Sequence, residues 1–396
     1  MPGQKGQLTQ VLFLKSLPKP GHIHTSVYCF DRLPADVFCH VELSLVTFPF
    51  CTPKMPSRLI TVIGSLNMDI VTVIDEVPDP GESITAVDPL LVCPGGKGAN
   101  QAMAAFRLSR SNPAAPVMAK FKDSSTHSRI EVCMIGRVGD DAYGTEILKG
   151  FEAARLSTDG IEWVAGLHTG VAVILVESGS GESRVMLHPG ANHSLRPSDF
   201  LTLHGLIKRD GQLLRKPDLL VLQLELHRDT VEQILETAGK EGVEVVLNAA
   251  PATSLMPKAL KAVTHLIVNE TEAAILMGED ATSLDTMTHC WGKLIKLCLN
   301  GGVKNLVVTL GPNGAYYWTK ETGGDFWTIK ESVHVVDTTT AGDTFVGAYA
   351  VEVLNAKDDE HWDIEKAVQR ACKAATRCVT KKGTQNSIPW KNELYV

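Results

Sequence analysis

From Arg58 onward, short apolar runs alternate with segments whose apolar residues recur every three or four positions. RLITVIG at 58–64, RIEVCMIG at 129–136, DLLVLQL at 218–224, VEVVLN at 243–248, THLIVN at 264–269 and NLVVTLG at 305–311 read as buried strands. ANQAMAAFRLS at 99–109, AYGTEILKGFEAA at 142–154, TVEQILETAGKEG at 230–242 and ETEAAILMG at 270–278 read as helices, and two more are predicted over 342–356 and 363–380. Strands apolar on both faces need cover on both sides, which helices between successive strands supply. The pattern predicts an α/β fold with a doubly wound, mainly parallel, Rossmann-like sheet. Residues 69–93 and 169–189 break the alternation, because strand-like runs follow one another with no long helix between them. GVAVILVESGSGESRVMLH at 170–188 reads as a hairpin, and the two stretches together predict a small β-sheet lid.

The periodicity also marks boundaries. Residues 1–57 mix Pro, His, Cys and Phe without a sustained repeat and are expected to be an N-terminal extension or to lie upstream of a working start at Met55. An organellar leader would be richer in Arg and Ser. The main domain is expected over 58–391, with a Pro/Ser-rich surface loop inserted at 109–128.

Composition narrows the function classes. The chain has 396 residues, 44% hydrophobic and 21% charged, which is ordinary globular usage with material for a large core. A net charge of −7 argues against a nucleic-acid or polyanionic partner. The nine cysteines are odd in number and form no Cys-x-x-Cys pair, so neither a zinc site nor a disulfide framework is indicated. No apolar run reaches the length of a membrane span. Reduced thiols place the expected setting in the cytoplasm, extending to the nucleus.

Several polar motifs sit where strands end or helices begin. CPGGKGANQA at 93–102 is a Gly-rich turn opening a helix, suited to holding an anion or a hydroxyl, although a tight turn with a solvated lysine satisfies the same pattern. It is no Walker A loop, since Lys97 lacks a following Ser or Thr, and no G-x-G-x-x-G fingerprint, since Gly98 runs into Gln101. Asn67 and Asp69 end the first strand and, two apart, point to the same side. Glu225 ends another strand, where a surface ion pair is the plainer reading. Asn269 and Glu272 nearly form a capping box, yet the pair also suits waters around Mg²⁺. TLGPNG at 309–314 and VTKKGTQNSIP at 379–389 read as turns. In TTTAGDTFVGAYA at 338–350, Asp343 opens a helix behind Ala341 and Gly342, and the preceding Asp337-Thr-Thr-Thr offers N-cap chemistry. Asp343 is either a cap for the helix dipole or a base standing in an anion hole.

The order of these motifs resembles the ribokinase-like family of carbohydrate kinases: Asn-x-Asp, Gly-Gly-Lys-Gly-Ala-Asn, a strand-end Glu, Asn-Glu-Thr-Glu, Thr-Leu-Gly-x-x-Gly, Asp-Thr-x-x-Ala-Gly-Asp-Thr-Phe and Lys-Gly-x-Gln-x-Ser. The resemblance covers about residues 58–391, with GGKGANQA and DTTTAGDTF its specific parts. It implies a kinase that phosphorylates the 5-hydroxyl of ribose with Mg-ATP and dimerises through its lid. Asn67, Asp69, Gly96, Lys97, Asn100 and Glu225 would hold the sugar, and Asp343 would be the general base. The amides of Ala341, Gly342 and Asp343 would form the anion hole, where a residue larger than Gly342 would block the phosphate. Asn269 and Thr309, Leu310, Gly311, Pro312, Asn313 and Gly314 would hold ATP, and Glu272 would organise Mg²⁺. A potassium site would use Asp337, the carbonyls of Thr339, Cys378, Lys381 and Gly383, and Ser387. Cys372 departs from the His that bacterial relatives often carry near adenine. A kinase for fructose, ketodeoxygluconate or a nucleoside is the neighbouring alternative. A non-catalytic sugar-binding regulator is the alternative of another class, and a dinucleotide-dependent oxidoreductase is disfavoured by the missing fingerprint.

Overall fold

The computed structural model describes residues 57–114, 129–179, 183–209, 212–213, 215–253, 257–278, 284–357 and 362–395. The proposed extension, apart from Ser57, and residues 115–128 of the proposed insertion lie outside the described residues.

In chain order the strands are β1 Arg58–Ile63, β2 Asn67–Ile74, β3 Leu91–Gly95, β4 Ile130–Gly139, β5 Ile161–Val164, β6 Gly170–Glu177, β7 Ser183–His188, β8 Lys208–Arg209, β9 Gln212–Leu213, β10 Leu219–Leu222, β11 Glu244–Asn248, β12 His265–Asn269, β13 Asn305–Thr309, β14 Ala315–Thr319 and β15 Gly323–Trp327. The longer helices are α1 Lys97–Leu108, α2 Ala142–Ala154, α3 Arg228–Glu241, α4 Glu270–Met277, α5 Leu284–Gly301, α6 Ala341–Ala356 and α7 Ile364–Cys378.

The main sheet runs β15-β14-β13-β12-β11-β10-β1-β4-β5. Strands β13 through β5 in that order are parallel, and β14 and β15 add an antiparallel edge. Alternate residues of one strand enter opposite cores. Ile60, Val62, Leu219 and Val221 pack in the layer of α1, α6 and α7, whereas Leu59, Ile63, Leu220 and Leu222 pack in the layer of α3. Unbroken apolar runs are therefore required, because both strand faces are covered.

A second sheet, β3-β2-β6-β7, carries the two stretches that break the alternation, and β6 and β7 form the expected hairpin. One boundary differs from the sequence reading. The first strand stops at Ile63, and Asn67 and Asp69 open β2 of the small sheet instead of closing β1. The break falls at Gly64-Ser65, which separates two apolar runs that sequence alone reads as continuous.

The chain leaves β1 toward β4 and β5 on one side and later returns to build β10 through β13 on the other. The carboxyl ends of β1 and β10 flank this reversal, with Ile63 beside Leu222. A crevice opens at such a point because the connections diverge. Helices α1 and α6 close in above it. A Cβ on Gly347 would lie 2.4 Å from Ala104 Cβ and 2.6 Å from Ala105 N, so the two helices meet through their smallest residues.

Candidate functional site

The turn from β3 into α1 lies across the start of β2. A Cβ on Gly95 would sit 2.0 Å from an Asp69 carboxylate oxygen, and Gly96, at φ 88°, would bring a Cβ within 2.7 Å of Asn67 N. Glycine is required at Gly96, and at Gly95 a Cβ would displace the Asp69 carboxylate. Asn67 and Asp69 are buried beneath this turn. Asn192 Nδ2 donates to Asn67 Oδ1 at 2.7 Å, and Asn67 Nδ2 donates to Glu225 Oε2 at 3.4 Å. The same Glu225 oxygen accepts from Ser65 Oγ at 2.5 Å and from the Lys97 backbone N–H at 3.1 Å. Glu225 thus binds the polar floor of the crevice, among the residues expected to hold the sugar, and the plainer reading as a surface ion pair gives way. Lys97 is partly buried and faces carboxylates, so the solvated-lysine reading is also replaced.

Asp343 lies opposite, in the first turn of α6. Both of its oxygens accept from α1: Asn100 Nδ2 donates to Oδ2 at 3.0 Å and Gln101 Nε2 to Oδ1 at 2.9 Å. It is therefore not a helix cap. Nor does the preceding polar run cap the helix, because the N-cap residue Thr340 makes no side-chain cap hydrogen bond. Thr340 Oγ is buried without a partner among the described residues. Asp337 instead accepts from Thr339 N at 2.9 Å, from Thr339 Oγ at 2.6 Å and from Gly383 N at 3.0 Å.

The three amides expected in the anion hole divide. Ala341 N donates to Thr338 O at 3.2 Å, closing a turn, so its N–H is engaged. The amides of Gly342 and Asp343 have no partner among the described residues, as the first turn of a helix leaves them. A Cβ on Gly342 would meet no atom within 4 Å, so packing does not demand glycine there. The helix start opens onto free space with its dipole aimed into it, an arrangement that fits a phosphate.

Burial and crowding set the electrostatics. Burial pushes the Asp69 carboxyl up to about 8, Glu225 and Asp343 push the same way, and Lys97 opposes them. Burial also raises Asp343, against the pull of Lys97 and of the Gln101 and Asn100 amides. Burial works against the Lys97 ammonium, yet the Asp343, Glu225, Glu272 and Asp69 carboxylates outweigh it and its pKa is raised. Asn100 Oδ1 is a buried acceptor with no partner among the described residues. Together the walls offer a donor, several carboxylates and an orphan amide oxygen, which is a set that matches a polyol.

Along the sheet, Asn269 and Glu272 form a full capping box. Asn269 Oδ1 accepts from Glu272 N at 2.7 Å, and Glu272 Oε2 accepts from Asn269 N at 2.8 Å. One Glu272 oxygen remains outside the box, and burial raises its carboxyl. Among the described residues no three His, Cys, Asp or Glu side chains form a metal cluster. A lone carboxylate fits Mg²⁺ held mainly through water and phosphate oxygens. Thr309 pairs in register with Asn269, so the 309–314 turn lies beside it. Gly311, Pro312 and Asn313 form an exposed single turn, while the Leu310 side chain joins the core.

For the monovalent cation, Asp337 ties segment 337–339 to Gly383, and Val379 O accepts from Val336 N and Asp337 N. Thr339 and Gly383 are thereby held to one carboxylate, and carboxylate and carbonyl oxygens are the hard donors that fit such an ion. Ser387 Oγ donates to Thr384 O at 2.6 Å and touches Cys378 Sγ at 3.1 Å, while Cys378 O accepts from Lys381 N. Cys372 lies buried in α7 beside a cavity bordered by Trp327, Ile329 and Gln369, and burial pushes its thiol up to about 12.

A cavity of about 190 Å³ opens at Asn67, Asn192, His193 and Glu225. A larger one, about 580 Å³ beside Arg58, Trp362 and Arg370, contains none of the residues expected in the site. Gln101, Asn192, Gln223, Asn248 and Ser65 escaped the sequence reading. Two of them carried a signal: Gln101 follows Asn100 directly, and Asn192 closes a second Gly-Ala-Asn at 190–192.

The pattern of the pfkB family carbohydrate kinases matches residues 57–391. The chain belongs to this family. It is 36% identical over 332 residues to the ribokinase of Schizosaccharomyces pombe, covering 83% of this chain and 94% of that one. It is 34% identical over 331 residues to a deoxyribokinase of Salmonella typhimurium, covering 83% and 95%. Its fold is similar to that of Arabidopsis thaliana ribokinase complexed with ribose and ATP, with a TM-score of 0.67, 28% identity and coverage of 86% and 98%. The fold is thus the ribokinase-like α/β arrangement, and no described helix is long and apolar enough to cross a membrane.

Proposed function

We propose that this family member transfers the γ-phosphoryl group of ATP to the 5-hydroxyl of ribose, with Asp343 as general base. The observation that carries the reading is the placement of Asp343. A buried carboxylate, tied by two amides, stands at an uncapped helix start beside a partly buried lysine. In this reading Asn67, Asp69, Lys97, Asn100 and Glu225 orient the sugar. Its hydroxyl oxygen attacks the γ-phosphorus while Asp343 takes the hydroxyl proton. The bond to the β-phosphate oxygen breaks, ADP leaves, and the Gly342 and Asp343 amides hold the charge in transit. Glu272 would hold Mg²⁺ when it is bound, and that ion would neutralise phosphate charge. Asp337, with the carbonyls of Thr339, Cys378, Lys381 and Gly383, would hold potassium and order the loop before α6. Ser387 would join them, since its hydroxyl donates its proton to Thr384 O and keeps oxygen lone pairs for a cation.

Support for ribose comes from the ribokinase relative and from the ribose- and ATP-bound structural neighbour. The deoxyribokinase relative gives a specific reason to include deoxyribose. The test is coupled ADP release with ribose, deoxyribose, fructose and adenosine, in potassium chloride and in choline chloride of equal ionic strength. Ribose is expected to give the highest kcat/KM, and potassium is expected to raise the rate. Asp343→Asn is expected to lower turnover by roughly 10²–10⁴-fold while sugar still binds. Sugar binding without ADP release from the wild type would leave a regulator as the reading.

A further inference from the structure

We propose that Gln101 is the positioning residue for Asp343: its side-chain amide occupies Oδ1 and leaves Oδ2 as the oxygen that takes the sugar proton. The inference rests on the reading of Asp343 as general base and adds which of its oxygens acts and what holds it.

Gln101 is fully buried, and its amide is completely engaged. Nε2 donates to Asp343 Oδ1 at 2.9 Å and to Asn248 Oδ1 at 3.0 Å, and Oε1 accepts from Gln223 Nε2 at 2.7 Å. An amide nitrogen has two hydrogens, so both donors are used. The orientation is dictated from the backbone. Ile267 O can only accept, so Asn248 must turn its Nδ2 toward it, at 3.3 Å. Asn248 then presents Oδ1 to Gln101, which must answer with Nε2, and the second hydrogen of that nitrogen falls to Asp343. Gln223 donates to the other end, but its own Oε1 has no partner among the described residues, so the orientation is set by Asn248 and Asp343. A flip of Gln101 would set its oxygen against the oxygens of Asn248 and Asp343.

The two oxygens of Asp343 are therefore unequal. Oδ1 faces an N–H that has no freedom to leave, and a proton there would clash with it. Oδ2 accepts from Asn100, whose own Oδ1 has no partner among the described residues, so this amide is tied at one end only. A hydroxyl entering beside Asn100 can take over the Oδ2 position and pass its proton there.

The Gln101 N–H favours the ionised carboxylate, so losing it raises the pH at which the base becomes active. Other groups acting on Asp343 are Lys97 on α1, Glu225 after β10, Glu272 on α4 and Cys378 on α7, with Asp69 on β2 in the same cluster; all remain in the variants below. The experiment measures pH profiles of kcat and kcat/KM at saturating Mg-ATP for the wild type, Gln101→Leu, Gln101→Glu and Asp343→Asn, with thermal midpoints and direct ribose binding. Gln101→Leu is expected to lower kcat about tenfold and move the acid limb up on the order of one pH unit, with ribose binding retained. Gln101→Glu keeps the size and the acceptor for Gln223 but sets a second carboxyl against Asp343, and is expected to shift the limb at least as far, with the thermal midpoint reporting any loss of folding. Lower kcat with an unmoved acid limb in both variants, while Asp343→Asn is inactive, would overturn the positioning role and leave the base intact. Near-wild-type turnover by Asp343→Asn would overturn both.

Discussion

Asp69, Glu225 and Asp343 share one ammonium, that of Lys97, and the protein holds this arrangement at a cost to its stability. Burial and its two carboxylate neighbours push the Asp69 carboxyl from 3.8 up to about 8. A folded-state pKa raised above the unfolded one means that ionisation in the fold is penalised. The penalty is absent below the unfolded value, grows as pH rises and is complete above the folded value. Asp69→Asn removes it. The variant is expected to bind ribose weakly yet to melt several degrees above the wild type near about pH 9, the gap closing toward about pH 4. Thermal melts in the absence of sugar across that range check this, and a gap that does not vary with pH would refute it. Asn67, Asp69, Lys97 and Asp343 were legible in the sequence because each sits where a strand or helix begins or ends. Gln223 and Asn248 were not, because their role is to face other polar side chains more than a hundred positions away.

At the scale of elements, the contact between α1 and α6 decides whether Asn100 and Gln101 reach Asp343. Gly347 packs so closely on Ala104 and Ala105 that even a methyl group would overlap. Gly347→Ala is expected to cost roughly 1–3 kcal/mol by overpacking and to lower kcat by moving α1 from the base. Ala104→Gly in the same chain is expected to restore part of both, since the two residues touch. Denaturant midpoints and kcat for the four members of that cycle test it, and additive effects would refute the contact. The same scale explains why the expected N-cap of α6 is missing. Asp337 points to Thr339 and Gly383 instead, which leaves the amides of Gly342 and Asp343 exposed to a ligand. A residue-type pattern marks a helix start but not the group that its N–H bonds will meet.

Among the described residues, the small sheet carries several exposed apolar side chains, Val92, Val185, Met186 and Leu187. Val92, Ile70, Val173 and Met186 align in one row across its four strands, and Val92 and Met186 are 44% and 50% exposed. Such a row suits a second copy of the sheet, in line with the proposed lid-mediated dimer. Met186→Glu is expected to lower the sedimenting mass to that of one chain at concentrations where the wild type is paired. A wild type that sediments as one chain throughout would remove the proposal.

The sequence by itself determined the doubly wound class, the hairpin of the small sheet and the strand ends around which the site is built. These follow from local periodicity, which records which side of an element meets a core. Tertiary structure alone decided that β1 stops before Asn67 and that Ala341 closes a turn. It also decided the Ile267–Asn248–Gln101–Asp343 chain and the raised Asp69 carboxyl. Each of these depends on distances between groups far apart in the chain and on water excluded by the fold around them, and neither quantity is written in the order of the residues.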